Sequence, residues 1–135
     1  FAERGGLLIV DDHNHDVDGA FHKTASEEVA RELQLEPGVP VWSLERVRYI
    51  GDEPLALMQN LLPTSLLDLA AVDLAGNGLY AALRRAGIWM RVAKQRIGAR
   101  RADGRESRLL GERRGAPLLT MQRTAYDDAG RAVEI

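Results

Sequence analysis

The sequence predicts an α+β domain built on a mostly antiparallel sheet flanked by helices. Three observations lead there. One pattern occurs twice: Gly38-Val39-Pro40 is followed after five residues by Arg46, and Gly115-Ala116-Pro117 is followed after five by Arg123. An amphipathic helical stretch ending in Leu precedes each copy, and a turn and a second strand-like run follow it. Two copies fall short of the three a solenoid needs, so they read as two pseudo-repeated helix–hairpin units of one sheet, with room for a ligand where they face each other. The strand-like runs also come as hairpins separated by helices, and no Gly-rich phosphate loop of the P-loop or dinucleotide kind marks a doubly wound parallel sheet.

Gly6 to Val10 is a short apolar run that predicts an edge strand, and Asp11 to Gly19 is a polar, acidic loop. Residues 1–19 therefore form a linker with a short strand ahead of a ligand-binding domain over 20–135. A strand starts at Ala20 and runs to Lys23. Thr24 and Glu27 have capping-box spacing, and Val29, Ala30 and Leu33 share one face of the helix they open. Glu27 and Arg31 can pair on its other face. Pro37-Gly38 ends it. Val41 to Ile50 is rich in branched and aromatic residues and reads as a strand, turned by Gly51-Asp52 into a partner over Leu55 to Leu62. Thr64 is placed to cap a short helix reaching about Ala71. Asn77-Gly78 opens another, with Leu79, Leu83 and Ala86 on its buried stripe and Gly87 past its end. Ile88 to Arg101 is an extended strand. Asp103 and Glu106 repeat the capping-box spacing, and Gly111 closes that helix. Leu118 to Tyr126 is the second-copy strand, Asp127 to Gly130 a turn, and Arg131 to Ile135 begins one more strand.

The length of 135 residues suits one domain. Cysteine is absent, which removes disulfides and thiolate metal sites. No apolar run approaches the ~20 residues of a membrane-spanning helix, and nothing reads as a secretory leader, so the expected location is cytoplasmic. Between Arg84 and Ile135 there are 13 Lys plus Arg against 6 Asp plus Glu. Such asymmetry marks either an anionic partner or a solvated basic edge.

Arg46 and Arg48 stand two apart on a strand, so they share a face with Trp42, Leu44 and Ile50. Guanidiniums on an apolar face need an acid, a watery cavity or an anionic ligand, and their fork suits phosphate or carboxylate. Internal carboxylates such as Glu134 or Asp52 could satisfy them instead. Gly78 and Tyr80 lie at a helix start, where free N–H groups can hold an anion or simply be capped. The run from Asp11 to Asp16 resembles a metal-ligand cluster, but its compact spacing specifies no metal; neither a metal nor a cofactor is expected. The histidines are His13, His15 and His22, all near the beginning, and no nucleophile motif occurs, so catalysis has only Glu134 or another carboxylate to draw on.

Several segments together resemble the UTRA domain, the effector-binding domain of the HutC-type branch of GntR transcription regulators. They are Ala25 to Gly38, Leu44-Glu45-Arg46-Val47-Arg48 with Pro54 in the next turn, Gly78-Leu79-Tyr80, Leu109-Leu110-Gly111, Gly115 to Leu119, and Gly130 to Glu134. The resemblance covers about residues 20–135. It implies a chorismate-lyase-like fold, a homodimer, and a small-molecule effector whose binding changes the geometry of DNA-reading heads on a winged-helix domain absent from this chain. It also implies a last strand beyond the final motif. In phosphosugar-responsive relatives the matching arginines and a Ser-x-Tyr at the helix start bind phosphate, which points to Arg46, Arg48, Gly78 and Tyr80 here. Gly78 stands where Ser is common, leaving its backbone N–H. Met58 stands where an acid often holds the sugar, and Glu134 matches a second acid. The implied effector-binding set is Arg46, Arg48, Met58, Gly78, Tyr80 and Glu134, for a small, anionic metabolite. Two other readings remain: a chorismate-lyase-like enzyme using Glu134 as acid, and a ligand-free dimerisation module.

Overall fold

In the computed structural model residues 17–135 are described, the side chains of 17–21, 75 and 76 excepted. The strands are β1 (Val17–Thr24), β2 (Pro40–Ile50), β3 (Glu53–Pro63), β4 (Met90–Arg101), β5 (Pro117–Asp127) and β6 (Ala132–Glu134). The helices are α1 (Glu27–Glu32), α2 (Leu74–Asn77), α3 (Leu79–Arg85) and α4 (Gly104–Leu109), with a 3₁₀ turn at Leu69–Ala71. The expected strand at 6–10 and the acidic run at 11–16 lie outside the described residues.

All the strand pairs are antiparallel, in the orders β1-β2-β3 and β4-β5-β6. The two sheets meet where Leu61 and Ile135 exchange both backbone hydrogen bonds, at 2.9 and 3.0 Å. Mutual exchange of this kind is the hydrogen-bonded pair of an antiparallel ladder. The predicted α+β class with a mostly antiparallel sheet is what the chain adopts.

The repeat is structural. Counting from Gly38 to Gly115, a shift of 77 residues carries α1 onto α4 and β2 onto β5. It also carries cap onto cap: Ser26 accepts from Val29 N, Asp103 from Glu106 N. The bond from Ala25 N to Val39 O (3.1 Å) becomes that from Ala102 N to Ala116 O (2.8 Å). The left-handed residue after each helix is Gln34 (φ 58°) in one copy and Gly111 (φ 63°) in the other. Gln34 tolerates a conformation that favours Gly while its Oε1 accepts from Ala132 N at 3.0 Å, tying α1 to the far half.

Helices close both sides of the sheet. Trp42, Leu44 and Leu62 pack with Leu79 and Leu83 of α3 and with Ala125 and Val133 of the second half. Ala30 of α1 and Leu33 at its C-cap pack with Val41, Leu61 and Ala132. Leu110, at the end of α4, packs with Ala102, Leu118 and Leu57. Each fully buried Leu contributes roughly 1.5–3 kcal/mol, and these clusters span both halves, so the copies share one core.

Several local expectations are corrected. β1 begins at Val17 rather than Ala20. Ser26, not Thr24, caps α1, because Thr24 is still paired in β1 with Pro40. Thr64 donates to Pro40 O at 3.2 Å instead of opening a helix, and the short 3₁₀ turn is capped by Asp68. On α3 the buried stripe is Leu79, Ala82 and Leu83; Ala86 is the exposed C-cap.

Candidate functional site

Between the two halves lies a cavity of about 490 Å³, a size typical of small-molecule sites. β3 lines one side with Leu55 to Leu61, and β5 lines the other with Leu118 to Arg123. Val29 and Glu32 of α1 and Glu106 of α4 reach in from the helices. Tyr80 and Glu134 form a polar end.

That polar end is a connected network. Glu134 is only 3% exposed. Its Oε1 accepts from Asn60 Nδ2, and its Oε2 accepts from Tyr80 Oη at 3.1 Å. Asn60 Oδ1 in turn accepts from Arg46 Nη2. Register explains the meeting: Arg46 lies opposite Met58 and Leu44 opposite Asn60, so Asn60 stands diagonal to Arg46 on the same face. Tyr80 arrives from the first turn of α3, whose Leu79 and Leu83 are anchored in the core. The guanidinium of Arg123 lies over the Tyr80 ring, 5.7 Å from its centroid.

Burial pushes the Glu134 carboxyl above its usual range, and the donors Asn60 and Tyr80 and the charges of Arg123 and Arg46 offset only part of that. Burial, then the charge of Glu134, pushes the Tyr80 phenol well up, which keeps it a neutral donor. The opposite end of the cavity carries an ion pair: Arg100 reaches both Glu106 oxygens, at 2.5 and 2.7 Å, and holds that carboxyl down at about 2.

Of the six residues singled out from sequence, Met58, Tyr80 and Glu134 line the cavity. Arg46 stands one residue behind the wall and reaches Glu134 through Asn60. Arg48 is half-buried on β2 and, like Gly78, is outside the lining. Gly78 is the buried N-cap of α3 (φ 69°), and its N–H already donates to Leu74 O at 3.1 Å, so it is not left over for a ligand. Asn60 and Arg123 were not singled out. Asn60 carries no local signal, since its role depends on register with β2 and on the arrival of β6. Arg123 was signalled by the repeat, as the second-copy counterpart of Arg46. Among the described residues no group of three or more His, Cys, Asp or Glu is placed to hold a metal ion.

The UTRA domain family model matches residues 15–135. The chain is 30% identical over 108 residues to the HTH-type transcriptional regulator GgaR of Escherichia coli, covering 80% of this chain and 43% of that protein. It is thus similar to less than half of the length of these curated relatives. Among solved structures, a Streptomyces coelicolor protein described as a transcriptional regulator superimposes with a TM-score of 0.83 at 44% identity, over 88% of this chain and 79% of that one. The effector domain of PhnF from Mycobacterium smegmatis gives 0.82 at 29% identity, over 87% and 74%.

Proposed function

The chain belongs to the UTRA domain family, and from that premise we propose that it is the effector-sensing part of a bacterial GntR-type transcription regulator, residues 20–135 forming the ligand-binding domain. A small metabolite with an anionic group enters the cavity between the halves and shifts operator binding by a DNA-binding domain outside this chain. The observation that carries this reading is the buried network of Tyr80, Glu134, Asn60 and Arg46 at one end of a cavity whose walls mix Leu, Met and Val side chains with polar and charged ones from β3, β5 and the helices. Convergent polar groups in a largely apolar hollow fix the orientation of a small ligand.

In this reading Tyr80, whose one proton goes to Glu134, presents its hydroxyl oxygen to the ligand as an acceptor, Glu134 accepts from the ligand's hydroxyl or amine groups, Met58 packs against it, and Arg46 and Arg48 supply positive potential at the first-half end. Coupling to DNA follows from unequal affinity of the ligand for two arrangements of the regulator. In this reading the domain binds and does not catalyse, as its relatives are transcription regulators. The relatives being transcription regulators, the place of action is the cytoplasm; among the described residues no helix is long and apolar enough to cross a membrane. A homodimer is the working state, supported by β4, an edge strand with eleven of twelve residues exposed and with Val92 and Ile97 each 62% exposed.

The test is a metabolite screen by thermal shift followed by calorimetry on the wild type and on Glu134→Gln and Tyr80→Phe. A ligand at 100 times its Kd adds about 2.7 kcal/mol to stability, so a true effector raises the midpoint, and both variants weaken it. A hit whose affinity ignores both substitutions would place the effector elsewhere.

A further inference from the structure

The second copy of the repeat puts a cation into the cavity that the network just described does not use. Arg123 lines the wall on β5. Its Nε is buried and has no hydrogen-bond partner among the described residues, and its contact is with the face of Tyr80. It lies close enough to Glu134 and Tyr80 to pull both of their pKa values down, yet no ion pair joins it to either. A buried guanidinium N–H without an acceptor is costly. A fold that keeps one facing a cavity has left a place for an acceptor to arrive.

We propose that Arg123 is an anion-holding residue of the effector site, taking a carboxylate or phosphate group of the ligand side-on through Nε and Nη. This rests on the reading that the cavity binds an effector, and it moves the anionic end of that ligand from the first-half arginines to the second half. The geometry supports the move. Arg46 stands behind the cavity wall and is committed to Asn60. Arg123 is in the wall, and the Tyr80 ring beneath it keeps the fork flat and in place. The guanidinium fork matches two oxygens of either anion. Two other acids of the lining are engaged elsewhere: Glu32 accepts from Thr124 at 3.1 Å, and Glu106 is paired with Arg100.

The experiment uses the 135-residue chain, with inorganic phosphate and acetate as separate probes, titrated by calorimetry into the wild type, Arg123→Met, Arg123→Lys and Arg46→Gln. Wild type is expected to bind at least one probe, and which one tells a phosphate site from a carboxylate site. Arg123→Met should lose roughly tenfold to a hundredfold in affinity, with Arg123→Lys in between, because a point charge replaces a fork. Without any anion, Arg123→Met should unfold no earlier than wild type, since it removes a buried donor that lacks an acceptor. A purely structural arginine gives the opposite result, an earlier midpoint with anion affinity unchanged, and that would overturn the proposal. If Arg46→Gln loses the probe and Arg123→Met keeps it, the cavity still binds anions but Arg123 does not hold them. If no variant and no wild type binds either probe, this proposal and the anionic-effector reading fall together.

Discussion

Glu134 is a carboxylate at 3% exposure whose hydrogen bonds come from neutral donors, and its titration has a definite sign. Its folded pKa lies above the ordinary 4.5. Its contribution to stability is therefore full below the unfolded value and is lost as pH rises through the folded one. Urea midpoints taken between about pH 4 and 8 should fall along that rise in the wild type, and Glu134→Gln should flatten the fall; parallel curves would refute the assignment. Tyr80→Phe keeps the ring under Arg123 but leaves Glu134 Oε2 without its donor. It should cost about 1–3 kcal/mol, read from thermal unfolding, and an unchanged midpoint would mean that water replaces the hydroxyl at no loss. Tyr80 and Glu134 were legible in the sequence through motifs at the ends of elements. Asn60 was not, because a polar residue in an apolar strand acquires its meaning only when three strands come into register around it.

At the scale of elements, short helices depend on their ends. α4 has six residues and a full capping box, with Asp103 Oδ1 accepting from Glu106 N at 2.8 Å and Glu106 Oε2 from Asp103 N at 2.9 Å. Asp103→Ala should cost about 1 kcal/mol, measured by urea denaturation. The Glu106 carboxyl, held at about 2, supports the fold above its ordinary 4.5 and loses that support as pH falls toward 2. The turn before β2 has Glu36 O accepting from Val39 N (3.3 Å) with Gly38 at φ 84°; the turn before β5 has Arg113 O accepting from Ala116 N (3.0 Å) with Gly115 at φ 75°. Both have the positive φ at the third position that defines a type II turn, where Pro suits the second. The first turn has Pro37 there and the second has Arg114. Arg114→Pro should thus stabilise by about 0.4–1 kcal/mol; a lower denaturation midpoint would show that the two turns differ. The capping box of α4 and the turns were readable because their signals are local. The cap of α1 was misread by two residues because the strand before it persists through Thr24, a pairing set by a distant segment.

For the whole molecule, the repeat was the most legible feature and also the one that organises the cavity. The halves are stitched by the Leu61–Ile135 pair, by Gln34 to Ala132, by Glu32 to Thr124, and by Arg105 to Glu45. With cores that run across the seam, unfolding should be a single transition, and calorimetric and van't Hoff enthalpies should agree; a ratio well above one would mean that the halves melt separately. The proposed homodimer belongs to this scale too. Ile97→Lys places a charge on the exposed edge of β4 and should yield monomer by light scattering. A dimer that persists in that variant would move the interface off this strand. What the sequence could not convey was which wall of the cavity each copy supplies, since that depends on how the two sheets join at one pair of backbone bonds.

Trp42 gives this architecture a reporter of its own. Its indole N–H donates to Leu67 O at 2.8 Å, its ring lies 4.0 Å from that of His22, and it belongs to the same strand face as Leu44 and Arg46. Trp89, at 59% exposure, faces water. One indole emits from a dry environment beside an imidazole ring and the other from solvent. Any loosening of the layer that carries Tyr80 should thus register as a red shift of intrinsic fluorescence, with no label attached and no partner DNA required.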